Sequence, residues 1–254
     1  MAIVYTFTRM LAELQEYTFL VLNVFKGTSS VAKYHEDAGK EMYSIGAKAF
    51  LLVMLGGLFV GIIVAIETGH QLEKFGAKTL IGRTISLGMI REVGPIITGL
   101  LLAARTGAKN ASEIGAMQLS EQIEALRAFG TNPIHKLVIP RIIAAQIMFL
   151  PLTLIADMTG ILGGMFVTQL TFNIDPSYFW NSAISALEMK DLLVGFMKPF
   201  FFAFAITSIS CYFGLSTKGG TVGLGKNTIS AVVFSSVAVL IIDFIFTKVV
   251  WELM

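Results

Sequence analysis

Cysteine and charged residues are scarce in this chain of 254 residues. Its single cysteine, Cys211, excludes an intramolecular disulfide, and only 14% of the residues are charged. The net charge of +2 offers no basic surface of the kind that binds nucleic acid. The three histidines, His35, His70 and His135, share no helix-face spacing. We therefore expect no metal site.

Catalytic and targeting motifs are also missing or incomplete. No Gly-x-Ser-x-Gly sequence occurs. Residues 220–227 nearly form a phosphate-binding loop, but Asn227 stands where a Ser or Thr would hold magnesium. We interpret this segment as a glycine-rich turn, and we expect the chain to bind no cofactor and to hydrolyse no nucleotide by itself. Arg9 is the only base among the first twenty residues, so a signal peptide is not expected.

Apolar residues, by contrast, make up 55% of the chain, and the mean hydropathy is +0.74. Such a composition is typical of a polytopic membrane protein. Five stretches are long enough to cross a bilayer, at roughly 49–67, 84–104, 141–170, 192–213 and 229–251. The third stretch is longer than a single crossing requires. Its Pro151 and the small residues Gly160, Gly163 and Gly164 predict a kinked or closely packed helix.

The ends and loops predict how the chain sits in the membrane. Residues 3–25 mix apolar and charged positions and predict an amphipathic helix in the membrane interface. If the amino terminus is cytoplasmic, twelve Lys and Arg lie in cytoplasmic segments and five in outer ones. The positive-inside rule therefore favours a cytoplasmic amino terminus and an external carboxyl terminus. Trp180 and Trp251 then fall where outer interface anchors are expected.

The second span carries two adjacent charges, Arg91 and Glu92, and a proline four residues beyond the arginine, Pro95. A charge at membrane depth costs roughly 2.5–3.5 kcal/mol on insertion scales, so it seldom occurs without a role. Pro95 predicts a kink and a freed carbonyl at Arg91. A structural ion pair with a neighbouring helix is one interpretation. The other is the polar wall of a cavity that handles an amphiphilic or charged substrate.

The cytoplasmic segment 105–140 between the second and third spans contains a predicted short helix. Ser120, with acids at 121 and 124, is typical of a helix start. Gly130 and Pro133 are typical of its end. Apolar side chains on one face would suit a groove on a soluble partner, although the helix could instead fold back on the membrane surface.

Two further acids, Asp157 and Asp243, lie in the third and fifth spans. Paired intramembrane aspartates occur in aspartyl proteases and proton relays. Neither residue has the flanking glycine pattern of an intramembrane aspartyl protease. We therefore favour helix-packing or gating roles for both.

The order of several motifs resembles the MlaE/YrbE family, the permease subunits of MCE-linked ABC lipid transporters. The motifs are Arg91-Glu-Val-Gly-Pro95, Glu113-Ile-Gly-Ala-Met117, Glu121-Gln-Ile-Glu-Ala-Leu126, Gly130-Thr-Asn-Pro133, Val138-Ile-Pro-Arg141 and the glycine-rich segment 216–225. The resemblance covers roughly residues 45–254. The departures are Ala104, Glu124 and Thr221, where glycine, aspartate and alanine are usual.

The residue pattern predicts an amino-terminal interfacial region over residues 1–48. The resemblance implies that residues 49–254 form a permease transmembrane domain with an all-α fold and a cytoplasmic coupling helix. It implies a homodimer in the bacterial inner membrane that moves phospholipid or a related lipid and so supports outer-membrane lipid asymmetry. Two ATPase subunits holding ATP and magnesium would dock on the cytoplasmic side. A periplasmic MCE-domain protein would sit on the outer face, and a small STAS-domain protein is a further candidate partner.

The chemistry of a lipid, which joins an anionic head to apolar tails, suggests roles for named residues in such a transporter. Arg91 would meet the lipid phosphate, Glu92 would limit how tightly it is held, and Pro95 would shape the cavity wall. The lipid tails would contact Leu58, Ile62 and Ile66. The expected ATPase-coupling residues are Glu121, Ile123, Glu124, Leu126, Phe129 and Gly130.

Three other functions stay open at this stage. An ion-coupled secondary transporter would use Arg91, Glu92 and Asp243 as a relay, although no clear internal repeat supports it. An intramembrane hydrolase would use Asp157 and Asp243. An assembly scaffold would carry no substrate. A chloroplast relative is disfavoured because no Arg- and Ser-rich transit segment is expected.

Overall fold

The computed structural model describes residues 2–27 and 34–253, and every regular element in those ranges is helical. The prediction of an all-α fold is confirmed. The helices are α1 (Ala2–Gly27), α2 (His35–Lys74), α3 (Ile81–Gly88), α4 (Gly94–Leu102), α5 (Ala108–Leu119), α6 (Gln122–Ala128), α7 (Ile139–Phe172), α8 (Pro176–Ser185), α9 (Met189–Leu215) and α10 (Gly220–Leu253).

Within the described residues, five helical stretches are long and apolar enough to cross a membrane, as the hydropathy predicts. They are His35–Lys74, Lys78–Leu119, Ile134–Phe172, Met189–Leu215 and Gly220–Val250. The first starts well before the predicted residue 49, because α2 begins at His35 with Glu36 and Asp37 in its first turn. Acids at this position interact favourably with the positive end of the helix dipole. The predicted boundary at residue 48 therefore falls inside a helix.

Three π-helical segments interrupt the α-helical geometry, at Met89–Val93, Ala103–Gly107 and Ile134–Val138. The first lies directly before the Gly94-Pro95 pair, and the Gly94 N–H bonds to the Met89 carbonyl five residues back. Pro95 has no N–H to donate to Arg91, so an ordinary α-helical bond is lost there. A π turn, a feature frequent at functional sites, therefore precedes Pro95, and the kink predicted there stays a prediction.

The chain divides into two compact units, of which the first contains residues 2–27, 34–43, 103–145 and 204–237. Its apolar core brings together Leu20, Val24, Ile114, Ile123, Val138, Ile139, Ile142 and Cys211. Beside this core lies a charged cluster. The buried Arg141 donates from Nε to Glu41 at 3.0 Å and from Nη2 to Glu113 at 2.8 Å. Lys109 donates to the other oxygen of Glu41 at 2.7 Å.

Helix α1 belongs to this first unit, and the side chains of residues 2–10 lie outside those described. Leu20 and Val24 are buried in the core, whereas Leu14, Phe19 and Leu22 are exposed. The Tyr17 hydroxyl lies 2.8 Å from that of Ser208. Burial raises the pKa of Tyr17, so the phenol stays protonated at neutral pH. The helix is confirmed, and its position in the membrane interface stays a prediction.

The second unit contains residues 44–102, 146–203 and 238–253. Here α2 and α7 approach so closely that a Cβ on Gly61 would overlap the backbone of Gly160. A Cβ on Gly57 would likewise meet the backbone of Ala156, and the Thr159 hydroxyl donates to the Met54 carbonyl at 3.1 Å. The close packing predicted from the glycines of the third span is therefore confirmed.

Helix α8 packs against α3 in the same unit. Ser86 of α3 donates to the Ala183 carbonyl at 3.0 Å, and Gly82 leaves room for the Phe179 backbone. Asp175 caps α8 by accepting from the N–H groups of Ser177 and Tyr178. This packing fixes the position of α8 beside the turn that carries Arg91 and Glu92.

The segment predicted as a coupling loop is mostly helical. Ser120 ends α5 rather than starting α6, since its hydroxyl donates back to the Ala116 carbonyl at 2.9 Å. The helix start predicted at Ser120 is therefore wrong by one residue, because Glu121, whose φ is 59°, is the N-cap and α6 begins at Gln122. Gly130, with φ of 71°, ends α6 in a Schellman motif, as predicted.

Candidate functional site

The two charges of the π turn point to different partners. Arg91 donates from Nε to Oδ1 of Asp191 at 2.7 Å, and its Nη2 also contacts this oxygen. Asp191 lies in the first turn of α9 and is almost fully buried, and its Oδ2 accepts from the Glu188 N–H at 2.9 Å. The aspartate thus fixes the guanidinium while also capping α9.

Glu92 belongs to a second ionic group centred on Lys198. The fully buried ammonium of Lys198 lies 2.5 Å from Glu92, 2.9 Å from Asp243 and 2.9 Å from the Thr247 hydroxyl. The ammonium donates hydrogen bonds to Glu92 and to Thr247, and Asp243 adds a second ion pair. Thr247 in turn donates to Glu92 at 3.1 Å. The buried lysine charge is accommodated because it pairs with two carboxylates and donates hydrogen bonds to Glu92 and Thr247.

A cavity of about 150 Å³ opens between these two groups. Its lining consists of Arg91, Glu92, Lys190, Asp191, Val194, Thr247 and Val250. The side chains of Arg91 and Glu92 are 30% and 34% exposed, so both ionic groups can be reached from the cavity. The lining thus combines two cationic side chains, Arg91 and Lys190, with two carboxylates, Glu92 and Asp191, which suits a ligand with a charged head.

The structure places the predicted tail-contacting residues elsewhere in the second unit. Leu58 and Ile62 lie against Gly163 of α7, and the Ile66 carbonyl accepts from His70 at 2.9 Å. None of the three lines the cavity that contains Arg91. Pro95 is buried in α4. The roles assigned to these four residues stay predictions.

Three members of the site were missed at the sequence level: Asp191, Lys198 and Thr247. Lys198 lies inside the predicted span 192–213, so the rule that selected Arg91 would have selected it too. Asp191 lies one residue before that span, so it does not count as a charge inside it. Threonine is common in membrane helices, so Thr247 does not stand out. No pattern in the sequence pairs either of them with its partner in the second span, a hundred or more positions away.

The two intramembrane aspartates have separate environments. Asp243 contacts Lys198, whereas Asp157 lies against the backbone of Gly94. They do not form the shared carboxyl pair that an aspartyl hydrolase needs. Within residues 2–27 and 34–253, no group of three or more His, Cys, Asp or Glu side chains could hold a metal ion.

The predicted coupling residues divide into buried and exposed ones. Ile123 is fully buried in the core of the first unit, whereas Phe129 is 86% exposed. Leu126 is half-buried, and Glu121, Glu124 and Gly130 are exposed. An exposed phenylalanine at the end of α6 is the apolar side chain most available to a partner.

Comparison with known proteins adds independent information. Residues 38–249 match the family described as Permease MlaE. A probable ABC transporter permease of Rickettsia typhi is 35% identical over 94% of this chain and 93% of that protein. The intermembrane phospholipid transport system permease of Haemophilus influenzae is 31% identical over 92% and 90%. A chloroplast protein of Arabidopsis thaliana, TRIGALACTOSYLDIACYLGLYCEROL 1, is 33% identical over 90% of this chain and 64% of its own length.

Proposed function

The chain belongs to the MlaE permease family, and we propose that it is the permease of an ABC transporter that moves phospholipid between two membranes of the envelope. It is a multi-pass membrane protein, and an ABC permease works with an ATPase. The observation that carries the phospholipid assignment is the ionic cavity at Arg91 and Glu92 within otherwise apolar spans. A phospholipid combines a charged head with apolar tails, which is the chemistry that such a site complements.

In this proposal Arg91 binds the phosphate by exchanging part of its pairing with Asp191 for the ligand. Bidentate guanidinium–phosphate contacts are strong and directional. Glu92 opposes the phosphate charge and keeps binding weak enough for release. Leu58, Ile62 and Ile66 remain proposed contacts for the acyl chains, which extend well beyond a cavity of about 150 Å³.

The energy source in the proposal is a separate ATPase that holds ATP and magnesium. The coupling residues Glu121, Ile123, Glu124, Leu126, Phe129 and Gly130 belong to the helix α6 region, which would dock into a groove of that ATPase. Phe129 supports this role because it presents a large apolar side chain with little contact to its own unit.

The proposal also covers the oligomeric state of the chain, its orientation in the membrane and its partner proteins. Two copies of the chain form a homodimer in the inner membrane, with the amino terminus in the cytoplasm and the carboxyl terminus in the periplasm. An MCE-domain protein receives or delivers lipid on the periplasmic side, and a STAS-domain protein accompanies the ATPase. The excess of Lys and Arg in the segments assigned to the cytoplasm supports this orientation.

The first test is purification of the chain from its native membrane in mild detergent, followed by identification of proteins and lipids that copurify. Recovery of an ATPase with bound phospholipid supports the proposal. Recovery of the chain without an ATPase counts against it.

A second test addresses the site itself. The bound phospholipid should decrease strongly in Arg91→Ala but not in Arg83→Ala, which alters an exposed arginine of the same unit. Equal lipid content in both variants would remove Arg91 from the binding site.

An ion-coupled transporter is the second candidate, because Glu92, Lys198 and Asp243 form one connected ionic group of the kind found in proton relays. Transport in proteoliposomes separates the two functions. The ABC transporter requires hydrolysable ATP and is insensitive to collapse of ion gradients, whereas the alternative shows the opposite dependence.

A further inference from the structure

The two ionic groups that border the ionic cavity turn opposite charges toward it. In the first group, the two carboxylate oxygens of Asp191 accept from Arg91 and from the Glu188 N–H, and this carboxylate is almost fully buried. In the second group, Lys198 is fully buried, whereas the side chain of Glu92 is 34% exposed. The accessible member is therefore the cation Arg91 in one group and the carboxylate Glu92 in the other.

The group around Lys198 carries more negative than positive charge. Its ammonium lies 2.5 Å from Glu92 and 2.9 Å from Asp243, so one cation faces two carboxylates. Among the described residues, no other lysine or arginine forms an ion pair with either of them. A carboxylate that lacks a full counter-charge is costly within apolar helices. This group is therefore suited to a ligand that brings a cation to it.

A ligand in the cavity can reach Glu92 but not Asp243. Glu92 belongs to the lining, whereas Asp243 is not among the described residues that form it, and its side chain is only 11% exposed. Lys198 donates to one oxygen of Glu92, and the Thr247 hydroxyl contacts both oxygens at 3.1 and 3.2 Å. These contacts leave acceptor capacity on Glu92, because a carboxylate offers about four lone-pair sites.

The anion site and the cation site lie close together. Arg91 and Glu92 are consecutive residues that line the same cavity, and consecutive Cα atoms are about 3.8 Å apart. A cavity of about 150 Å³ holds a ligand of the size of benzene. A phosphate joined to an ammonium group through two carbon atoms is only slightly larger. Both charges of such a head therefore fit one cavity of this volume.

Heads without a cation do not complement this wall. A glycerol head donates from its hydroxyl groups, but it brings only the negative charge of the phosphate next to Glu92. A trimethylammonium head brings the positive charge but no N–H donor, whereas a primary ammonium brings both. Lys190 also lines the cavity, but the exposed Glu188 pairs with it at 2.9 Å, so its charge is largely offset and screened.

We propose that the site selects phospholipids whose head carries a primary ammonium group, and that Glu92 binds this ammonium. The inference rests on the phospholipid function proposed above. Arg91 binds the phosphate, the lipid ammonium donates to Glu92, and Lys198 stays between Glu92 and Asp243. Bound in this way, the lipid joins the two ionic groups into one row in which positive and negative charges alternate.

The head-group composition of the lipid bound at Arg91 tests this proposal. The full chain, purified in mild detergent, is equilibrated with micelles that contain equal amounts of dioleoyl phosphatidylethanolamine, phosphatidylcholine and phosphatidylglycerol. Bound lipids are quantified by mass spectrometry, and the lipid retained by Arg91→Ala is subtracted because it is bound elsewhere. In the remaining fraction, phosphatidylethanolamine should exceed phosphatidylglycerol about tenfold, the effect of one hydrogen bond to a charged group, with phosphatidylcholine between them.

The outcomes separate this proposal from the function on which it rests. An Arg91-dependent fraction with the composition of the micelles, or one enriched in phosphatidylglycerol, would overturn the head-group selection and leave the phospholipid function intact. Loss of no lipid in Arg91→Ala would count against the phospholipid site itself and overturn both. None of these outcomes requires a variant of Glu92 to fold.

Two variants assign the selection to Glu92. Glu92→Gln removes the carboxylate that receives the ammonium and leaves Lys198 paired with Asp243, so the preference over phosphatidylglycerol should disappear while phospholipid is still bound. Glu67→Gln makes the same change at an exposed acid of α2 in the same unit and should preserve the preference. A preference that survives in Glu92→Gln would overturn the assignment.

Discussion

The buried ammonium of Lys198 in α9 lies 2.5 Å from the carboxylate of Glu92 in the π turn. The two residues are held in this contact by Thr247, which accepts from the lysine and donates to the glutamate. Glu92 thus contacts residues of α9 and α10, whereas Arg91 contacts Asp191 at the start of α9. The two charges of the second span therefore occupy two separate ionic groups that border one cavity.

Lys198→Met should strongly destabilise the protein. It would leave the carboxylates of Glu92 and Asp243 without their cation, and breaking a buried ion pair in this way costs about 3–5 kcal/mol. The thermal unfolding midpoint in detergent measures the effect. Lys190→Met is the matched control. This exposed lysine pairs with the exposed Glu188, so the substitution should change stability by less than about 1 kcal/mol. Similar midpoints for the two variants would contradict the role of Lys198.

Asp191→Asn should increase phospholipid retention and slow transport. The neutral amide competes less well than a carboxylate for the Arg91 guanidinium, so phosphate would bind roughly fivefold more tightly and leave more slowly. Lipid content of the purified protein and the rate of lipid transfer between vesicles measure the two effects. Glu188→Gln, at an exposed neighbour, should alter neither. A decrease in bound lipid for Asp191→Asn would be incompatible with competition for Arg91.

Gly94→Ala should destabilise the second unit because its Cβ would overlap the carboxyl of Asp157. Overpacking of this kind costs about 1–3 kcal/mol. Gly88→Ala is the control, since no heavy atom lies within 4 Å of the added Cβ, and there the substitution should be neutral or slightly stabilising. Combining Gly94→Ala with Asp157→Ala should recover part of the loss. Additive losses in the double variant would show that the two residues do not interact.

Phe129→Ala should uncouple the chain from its ATPase with little change in its own stability, because the side chain is 86% exposed. Ile123→Ala should instead lower stability by about 2–5 kcal/mol, the usual cost of removing a buried aliphatic side chain. Copurification of the ATPase and the thermal midpoint separate the two outcomes. Normal ATPase recovery with Phe129→Ala would exclude this residue from the docking surface.

Local patterns in the sequence determined much of the architecture. Hydropathy alone identified the five spans. Whether about twenty consecutive residues can cross the hydrocarbon layer depends on the composition of that segment and not on the helices packed around it. Gly130 predicted the end of α6, because few other residues adopt its left-handed φ without strain. Arg91 and Glu92 could be selected as candidate site residues from the sequence, because a charge within an apolar span is costly wherever its partners lie.

Pairing between distant segments was decided only by the tertiary structure. Arg91 contacts Asp191 a hundred residues later, and Glu92 contacts Lys198. The sequence shows that Lys198 is a charge inside a span, but it does not show which residue pairs with it. The apolar residues Leu58 and Ile62 pack on Gly163 instead of lining the ionic cavity. Ile123 and Phe129 are both apolar and lie in or beside one short helix, yet one is buried and the other exposed. Hydropathy is a property of each segment, whereas these contacts depend on which helix faces which.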